Sequence, residues 1–353
     1  MGAADRRALS DLGAGWGGSQ IVPQGPQPDI SEGSPCALGH KIARDAASAC
    51  VRAGASLIPE REARESVMMS QDDPRLLVST AWLAAHLDDP DLRILDATWF
   101  MPGTPRDPQE EYAAKHIPGA VFFDIDAVSD HASLNPHMAP APADFASAIG
   151  ALGIGDGDQV VVYDSHGIMS APRVWWTFRL MGFDRVAVLD GGLPKWEAEG
   201  RPLAHAPVTP APATATATLQ PALVNDVQDV LEIIASGSRQ IVDARGAPRF
   251  TGAAAEPRVG LRSGHMPGAR NVPFNTLIAA DGTLLPPDEL RAVFAAAGVD
   301  PARPVTTTCG SGITAAVISL ALARVGAENV ALYDGSWAEW GAAEDLPIAQ
   351  GSA

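Results

Sequence analysis

The chain runs to 353 residues with a net charge of −17, long enough for two ordinary domains. No stretch approaches the roughly 20 apolar residues of a membrane helix, and no basic excess exists to neutralise nucleic-acid phosphates. A small anionic substrate must therefore be drawn in by a local cationic site, against the overall field.

Residues 1–74 read as a disordered extension: "GAGWGGSQIVPQGPQPDISEGSPCALGH" is rich in Gly, Pro and Ser and has no helical or strand period. It lacks the basic start and apolar core of a secretory signal, and Asp5, Asp11, Asp29 and Glu32 speak against a transit peptide. Met68 and Met69 directly precede the first patterned segment, so residues 1–67 are expected to lie upstream of the natural start. Two of the three cysteines, Cys36 and Cys50, also fall in this segment. Cys309 is then the one thiol of the folded core, with no internal disulfide, which suits a reducing cytoplasm.

From Leu76 the chain alternates helical and β-branched patterns. "STAWLAAHL" has a Ser/Thr start and apolar residues at i, i+3 and i+4, as an amphipathic helix should. "LRILDA" and "QVVVYD" read as buried parallel strands, "APRVWWTFRLMG" as a helix closed by Gly182, and "RVAVLDGG" as a strand entering a turn. This alternation predicts an α/β fold, a mainly parallel sheet flanked by helices.

The second half then repeats the first. "LRILDATW" is echoed by "RQIVDARG", and "HIPGAVFF" at His116 by "HMPGARNVPF" at His265. "FDRVAVLDGGLPKW" returns as "AENVALYDGSWAEW" at an offset of 144 residues, which matches Asp190 to Asp334 and Trp196 to Trp340. The predicted organisation is two tandem domains, 75–205 and 222–347, joined by an Ala/Pro/Thr linker over 206–221 that is semi-extended and without core residues. A monomer is the default expectation.

The same offset sets Ser165 opposite Cys309, so only the second copy carries a thiol. In "VTTTCGSGITA" the cysteine follows a strand and precedes the helix "TAAVISLALARV", at the carboxyl end of a parallel strand where α/β folds place ligands. Gly310 and Gly312 let the loop curl with its N–H groups inward, and the helix adds its positive end. Both features favour a thiolate or a persulfide anion. A phosphatase loop needs an arginine six residues after its cysteine to clamp phosphate. Here that residue is Ala315, and the remaining chemistry is sulfur transfer through a Cys309 persulfide.

The duplicated halves, both His-Ile/Met-Pro-Gly-Ala segments, "DGSWAEW" and "CGSGITA" resemble the two-domain rhodanese family over residues 75–347. Thiosulfate-using rhodaneses carry basic residues directly after the cysteine. The neutral Gly310 and Ser311 instead match the members that use 3-mercaptopyruvate. The resemblance implies an enzyme of two rhodanese-like domains that moves sulfur from 3-mercaptopyruvate through Cys309 to a thiol, cyanide or thioredoxin-like acceptor and releases pyruvate. A thiosulfate:cyanide sulfurtransferase and a low-turnover persulfide carrier are the alternatives. It also implies roles for further residues. Arg249 and Arg258 would bind the substrate carboxylate and keto oxygen, a planar anion that guanidinium forks fit. Gly310, Gly312, Ile313 and Thr314 complete the binding loop. Ser311, His137 and Asp126 would form a proton relay beside Cys309, with the last two drawn from the first domain, so that the site lies between the copies.

Neither metal nor organic cofactor is implied: the eight histidines form no His-x-x-x-His pair, and no dinucleotide-type glycine fingerprint opens the first strand–helix turn. His131 is a decoy near His137, whereas His116 and His265, repeated in both copies, are expected to serve the fold. Trp175 and Trp176 are expected in the core, Trp337 and Trp340 over the interface between copies, Asp243 and Arg245 as an ion pair holding a loop, and Met169 along the substrate cleft.

Overall fold

The computed structural model describes residues 72–352. The expectations for the N-terminal extension, for Cys36 and Cys50 and for a start at Met68 lie outside the described residues. Among the described residues no helix is long and apolar enough to cross a membrane.

The first half places β1 (Leu77–Val78), α1 (Thr80–His86), β2 (Leu92–Asp96), α2 (Pro108–Ala114), β3 (Ala120–Phe122), α3 (Pro142–Ala151), β4 (Gln159–Tyr163), α4 (Ala171–Leu180), β5 (Val186–Leu189) and α5 (Gly192–Ala198) in order. The second half repeats the series as β6 (Val224–Asn225), α6 (Val227–Ser236), β7 (Gln240–Asp243), α7 (Ala247–Phe250), β8 (Arg270–Asn271), α8 (Pro287–Ala296), β9 (Val305–Thr308), α9 (Ala315–Arg324), β10 (Val330–Tyr333) and α10 (Ser336–Trp340). The sheets have orders β1-β5-β4-β2-β3 and β6-β10-β9-β7-β8, so the two topologies superpose element for element. Every ladder is parallel. The expected tandem α/β fold is what the chain adopts.

Local chemistry sets the helix ends. Ser79 accepts a hydrogen bond from the Trp82 amide, and Asp226 with Asp229 forms a complete capping box on α6. Gly182 closes the α4 turn at φ +87°, a conformation that L side chains resist.

α4 and α9 are buried nearly all round, the signature of a helix inside the core rather than on it. One continuous apolar cluster runs through both, from Leu76 and Phe145 in the first half to Val305 and Leu332 in the second. The halves are therefore fused across these helices. Trp175 and Trp176 belong to this cluster, as expected. Trp337 and Trp340 do not cover the interface between copies. They pack with Val230, Ile241, Phe250 and Met266 in a separate core confined to the second half.

The segment 206–220 contains no helix or strand, yet it is more than a tether. Ala213, Thr218 and Gln220 donate backbone hydrogen bonds to Gly150, Met181 and Leu180, and Ala215 and Ala217 pack on the shared core. Gly150 is glycine for this reason: a Cβ there would sit 2.7 Å from the Ala213 carbonyl oxygen.

The repeated histidines serve the fold. His116 and His265 are buried, bridge to Ala204 and Ala349, and stack on Tyr112 and Phe250. His131 is exposed, with its ring against the Ala127 carbonyl.

Candidate active site

Cys309 stands at the carboxyl end of β9, in the crevice where this topology leaves strand ends open. Its loop is pinned from behind by α10: the Trp337 and Ala338 amides donate to the Cys309 and Gly310 carbonyls at 3.0 and 2.8 Å. The Cys309 amide in turn donates to Ser336 Oγ at 3.2 Å. Gly312 has φ +81°, and a Cβ there would lie 2.7 Å from Arg173 Nη1, so the position requires glycine for its backbone and for its neighbour. Gly310 faces the other way. A Cβ at 310 would come within 3.0 Å of Arg249 Nη2 and 4.0 Å of Arg258 Nη1.

A cavity of about 270 Å³ opens above the thiol. Cys309, Gly310, Ser311, Ile313, Thr314, Arg249 and Arg258 line it from the second half; Trp99, Phe100 and Met169 line it from the first. Gly312 lies behind the loop, against Arg173. Arg249 is oriented by Glu256, which also binds Arg245. Arg245 is held against Asp243 at 2.6 Å, the expected structural pair. Arg258 is half-buried, and burial pulls its pKa down while the negative charge available at Cys309 pulls it up. Two guanidinium groups thus converge on the thiol, which supplies the local cationic site demanded by a chain of net charge −17.

His137 comes from the first half, as expected, and stands beside Arg258, with Nε2 3.4 Å from its guanidinium. Its Nδ1 lies 2.7 Å from Asp126 Oδ1, though out of line for a straight N–H bond. Trp99 Nε1 donates to Asp126 Oδ2 at 3.2 Å, and its ring meets His137 edge to face. The His137 contact holds the Asp126 carboxyl below its ordinary range. Among the described residues no hydrogen bond joins Ser311 to His137. The His137–Asp126 pair reaches the cavity through Arg258, and Ser311 lies on the loop itself.

Three participants escape a reading of the sequence. Arg173 on α4 is buried; it donates to Asp334 Oδ1 at 2.6 Å, to the Gly312 carbonyl at 3.5 Å and to the His137 carbonyl. It therefore ties the cysteine loop to the histidine loop, and His137 keeps an unusual φ of +62°. Asp334, its partner, also accepts the Ala139 amide at 2.7 Å. Glu256 orients Arg249. The visible clue to the first was an arginine inside the otherwise apolar "APRVWWTF", since a buried guanidinium demands partners.

The register of the two halves corrects one expectation. Asp96 pairs with Tyr163 and Asp243 with Thr308, so β4 and β9 superpose with Asp164, not Ser165, at the Cys309 position. The Leu193 amide on the Asp164 carbonyl matches the Trp337 amide on the Cys309 carbonyl. The first loop has one residue more between strand and helix, which a constant offset conceals. Its anion cradle is filled from within: the Asp164 carboxylate accepts the amides of His166, Met169, Ser170 and Ala171 at 2.8–2.9 Å.

Comparison with known proteins agrees with this duplicated site. The Rhodanese-like domain family matches residues 79–199 and 226–343. The 3-mercaptopyruvate sulfurtransferase of Escherichia coli K12 is 46% identical over 272 residues, covering 77% of this chain and 96% of that protein. The thiosulfate sulfurtransferase of Bos taurus is 46% identical over 273 residues, covering 75% and 92%. The crystal structure of SseA from Escherichia coli, a 3-mercaptopyruvate sulfotransferase, superposes with a TM-score of 0.69 at 44% identity over 74% of this chain and 98% of that one. With both halves matched and one of them armed with a cysteine, the chain belongs to the rhodanese family.

Proposed function

We propose that the chain is a 3-mercaptopyruvate sulfurtransferase acting through a persulfide on Cys309. Overall identity does not choose the donor, because relatives named for thiosulfate and for mercaptopyruvate match equally well. The observation that carries the reading is the neutral Gly310 set against Arg249 and Arg258. A dianion such as thiosulfate is best held by cations on the loop itself. Here the loop residue is glycine and the cations reach it from outside the loop, as Arg249 and Arg258, whose guanidinium forks suit the carboxylate and keto oxygen of an α-keto acid.

Arg249 and Arg258 hold the donor with its sulfur at Cys309. The thiolate attacks that sulfur, an Sγ–S bond forms, and the C–S bond breaks to leave pyruvate enolate, which takes a proton to give pyruvate. Inward loop amides stabilise the persulfide anion. Ser311 handles the proton at the loop, while His137, held by Asp126, sets the position of Arg258. A thiol, cyanide or a thioredoxin-like protein then removes the outer sulfur and restores the thiolate. The setting that fits such a reductant is the cytoplasm, and the working unit is one chain.

The test is incubation with 3-mercaptopyruvate, with intact mass and pyruvate both followed. One added sulfur and released pyruvate are expected, and both are lost in Cys309→Ser. A higher kcat/KM for thiosulfate than for 3-mercaptopyruvate would overturn the choice of donor.

A further inference from the structure

The second half uses Arg245 to fill a space that the first half leaves open. The Arg245 guanidinium lies on Asp243 and over the Trp337 ring at 4.1 Å. The first half keeps the same turn, with the Thr98 amide on Asp96 Oδ1 at 2.9 Å where the Arg245 amide binds Asp243 Oδ1 at 2.8 Å. At this matched position, however, the arginine is replaced by Thr98 and the tryptophan by Leu193. Loss of both large groups leaves a cavity of about 440 Å³, lined by Asp96, Thr98, Ser165 and Leu193.

Its floor is polar and incompletely satisfied. Asp96 is 2% exposed, and among the described residues no cation pairs with it. Burial holds its carboxyl above the ordinary range, with only the Thr98 and Tyr163 hydrogen bonds pulling down. Ser165 Oγ is buried without a hydrogen-bond partner. The cations at the mouth are already engaged, Arg106 with Glu111 and Lys115 with Glu197, each at 2.6 Å. An unpaired carboxyl beside an apolar wall is the environment that its twin, Asp243, shows with a guanidinium in place.

We propose that this cavity of the first half is a binding site for a small organic cation with a guanidinium head, which would bind Asp96 as Arg245 binds Asp243. The head group lies flat between the carboxylate and Leu193, and Ser165 Oγ accepts one of its remaining N–H groups. The net charge of −17 raises the local concentration of such a cation. The site is separate from the Cys309 cavity, which is lined by Arg245, Arg249 and Arg258 together with Arg106, shared with the mouth of this one, and which repels the same ligand.

The test titrates the full chain with methylguanidinium chloride, following its methyl resonance by NMR, against sodium chloride at matched ionic strength. Saturable broadening with a Kd in the millimolar range is expected, as so few non-hydrogen atoms allow. Thr98→Arg, which supplies the missing guanidinium from within, and Asp96→Asn should each weaken binding by about tenfold or more. Both should keep sulfur transfer at Cys309, which shows that they fold. No saturable broadening in the wild type, or equal affinity in Thr98→Arg, overturns the proposal.

Discussion

The Asp164 and Cys309 loops occupy the same place in two copies of one fold, yet they answer the same electrostatic problem differently. Each ends a central strand, turns inward and meets the start of a buried helix. In the first copy a fixed carboxylate satisfies four amides permanently. In the second the corresponding atom is a sulfur that can gain and lose a partner. A loop that always holds its anion is structural; a loop whose anion comes and goes with turnover is catalytic. The copy without a thiol still places His137, Asp126, Trp99 and Arg173 around the cysteine loop and its arginines.

The largest effect expected from breaking this division concerns Arg173. Its side chain is 3% exposed and spans the copies from α4 to Asp334. Arg173→Met keeps the aliphatic stem but leaves Asp334 buried without its partner. This should cost roughly 3–5 kcal/mol in urea unfolding. Because the Gly312 and His137 carbonyls lose their common donor, kcat should also fall about 10- to 100-fold, more than KM changes. The double variant with Asp334→Asn should cost less than the sum of the singles. Strict additivity would show that the two residues do not act as a unit.

The two loops can next be set against each other directly. Asp164→Ala orphans four amides and should lower stability by about 1–3 kcal/mol, while kcat/KM stays nearly unchanged. Cys309→Ser should do the reverse, abolishing turnover with a stability change within about 0.5 kcal/mol. If Asp164→Ala removed activity without loss of stability, the first loop would be part of the chemistry rather than a support.

Much of this was legible beforehand. The duplicated strands, the paired His-Pro-Gly segments and the Cys-Gly-Ser-Gly loop gave the tandem fold and the position of the thiol, because short-range chemistry fixes both. What stayed hidden depends on long-range partners or on a shift of one residue. Arg173 meets groups 36, 139 and 161 positions away, and no local pattern encodes that. Ser165 stood in for Asp164 because the helix starts align at one offset and the strand ends at another. Trp337 and Trp340 show that an aromatic residue type announces burial but not which core it joins.

The smallest predicted effect concerns a pair related across the copies. Asp190 Oδ1 accepts the Leu284 amide from the second half, as Asp334 Oδ2 accepts the Ala139 amide from the first. Asp334 has Arg173 against it. Asp190 does not, and burial raises its pKa to about 6, with the Leu284 hydrogen bond and the charges of Arg324 and Lys195 only partly opposing. The native carboxyl therefore binds a proton where the unfolded one, at its ordinary 3.8, has released it. Between these values the folded state holds more protons, so its stability falls as pH rises and levels off above about 6. Asp190→Asn keeps the acceptor oxygen and removes the charge. Its unfolding free energy in urea should exceed that of the wild type at pH 7.5 by about 1–2 kcal/mol, and the two should converge near pH 4. A constant difference at both pH values would mean that the gain comes from packing and that Asp190 carries no buried charge.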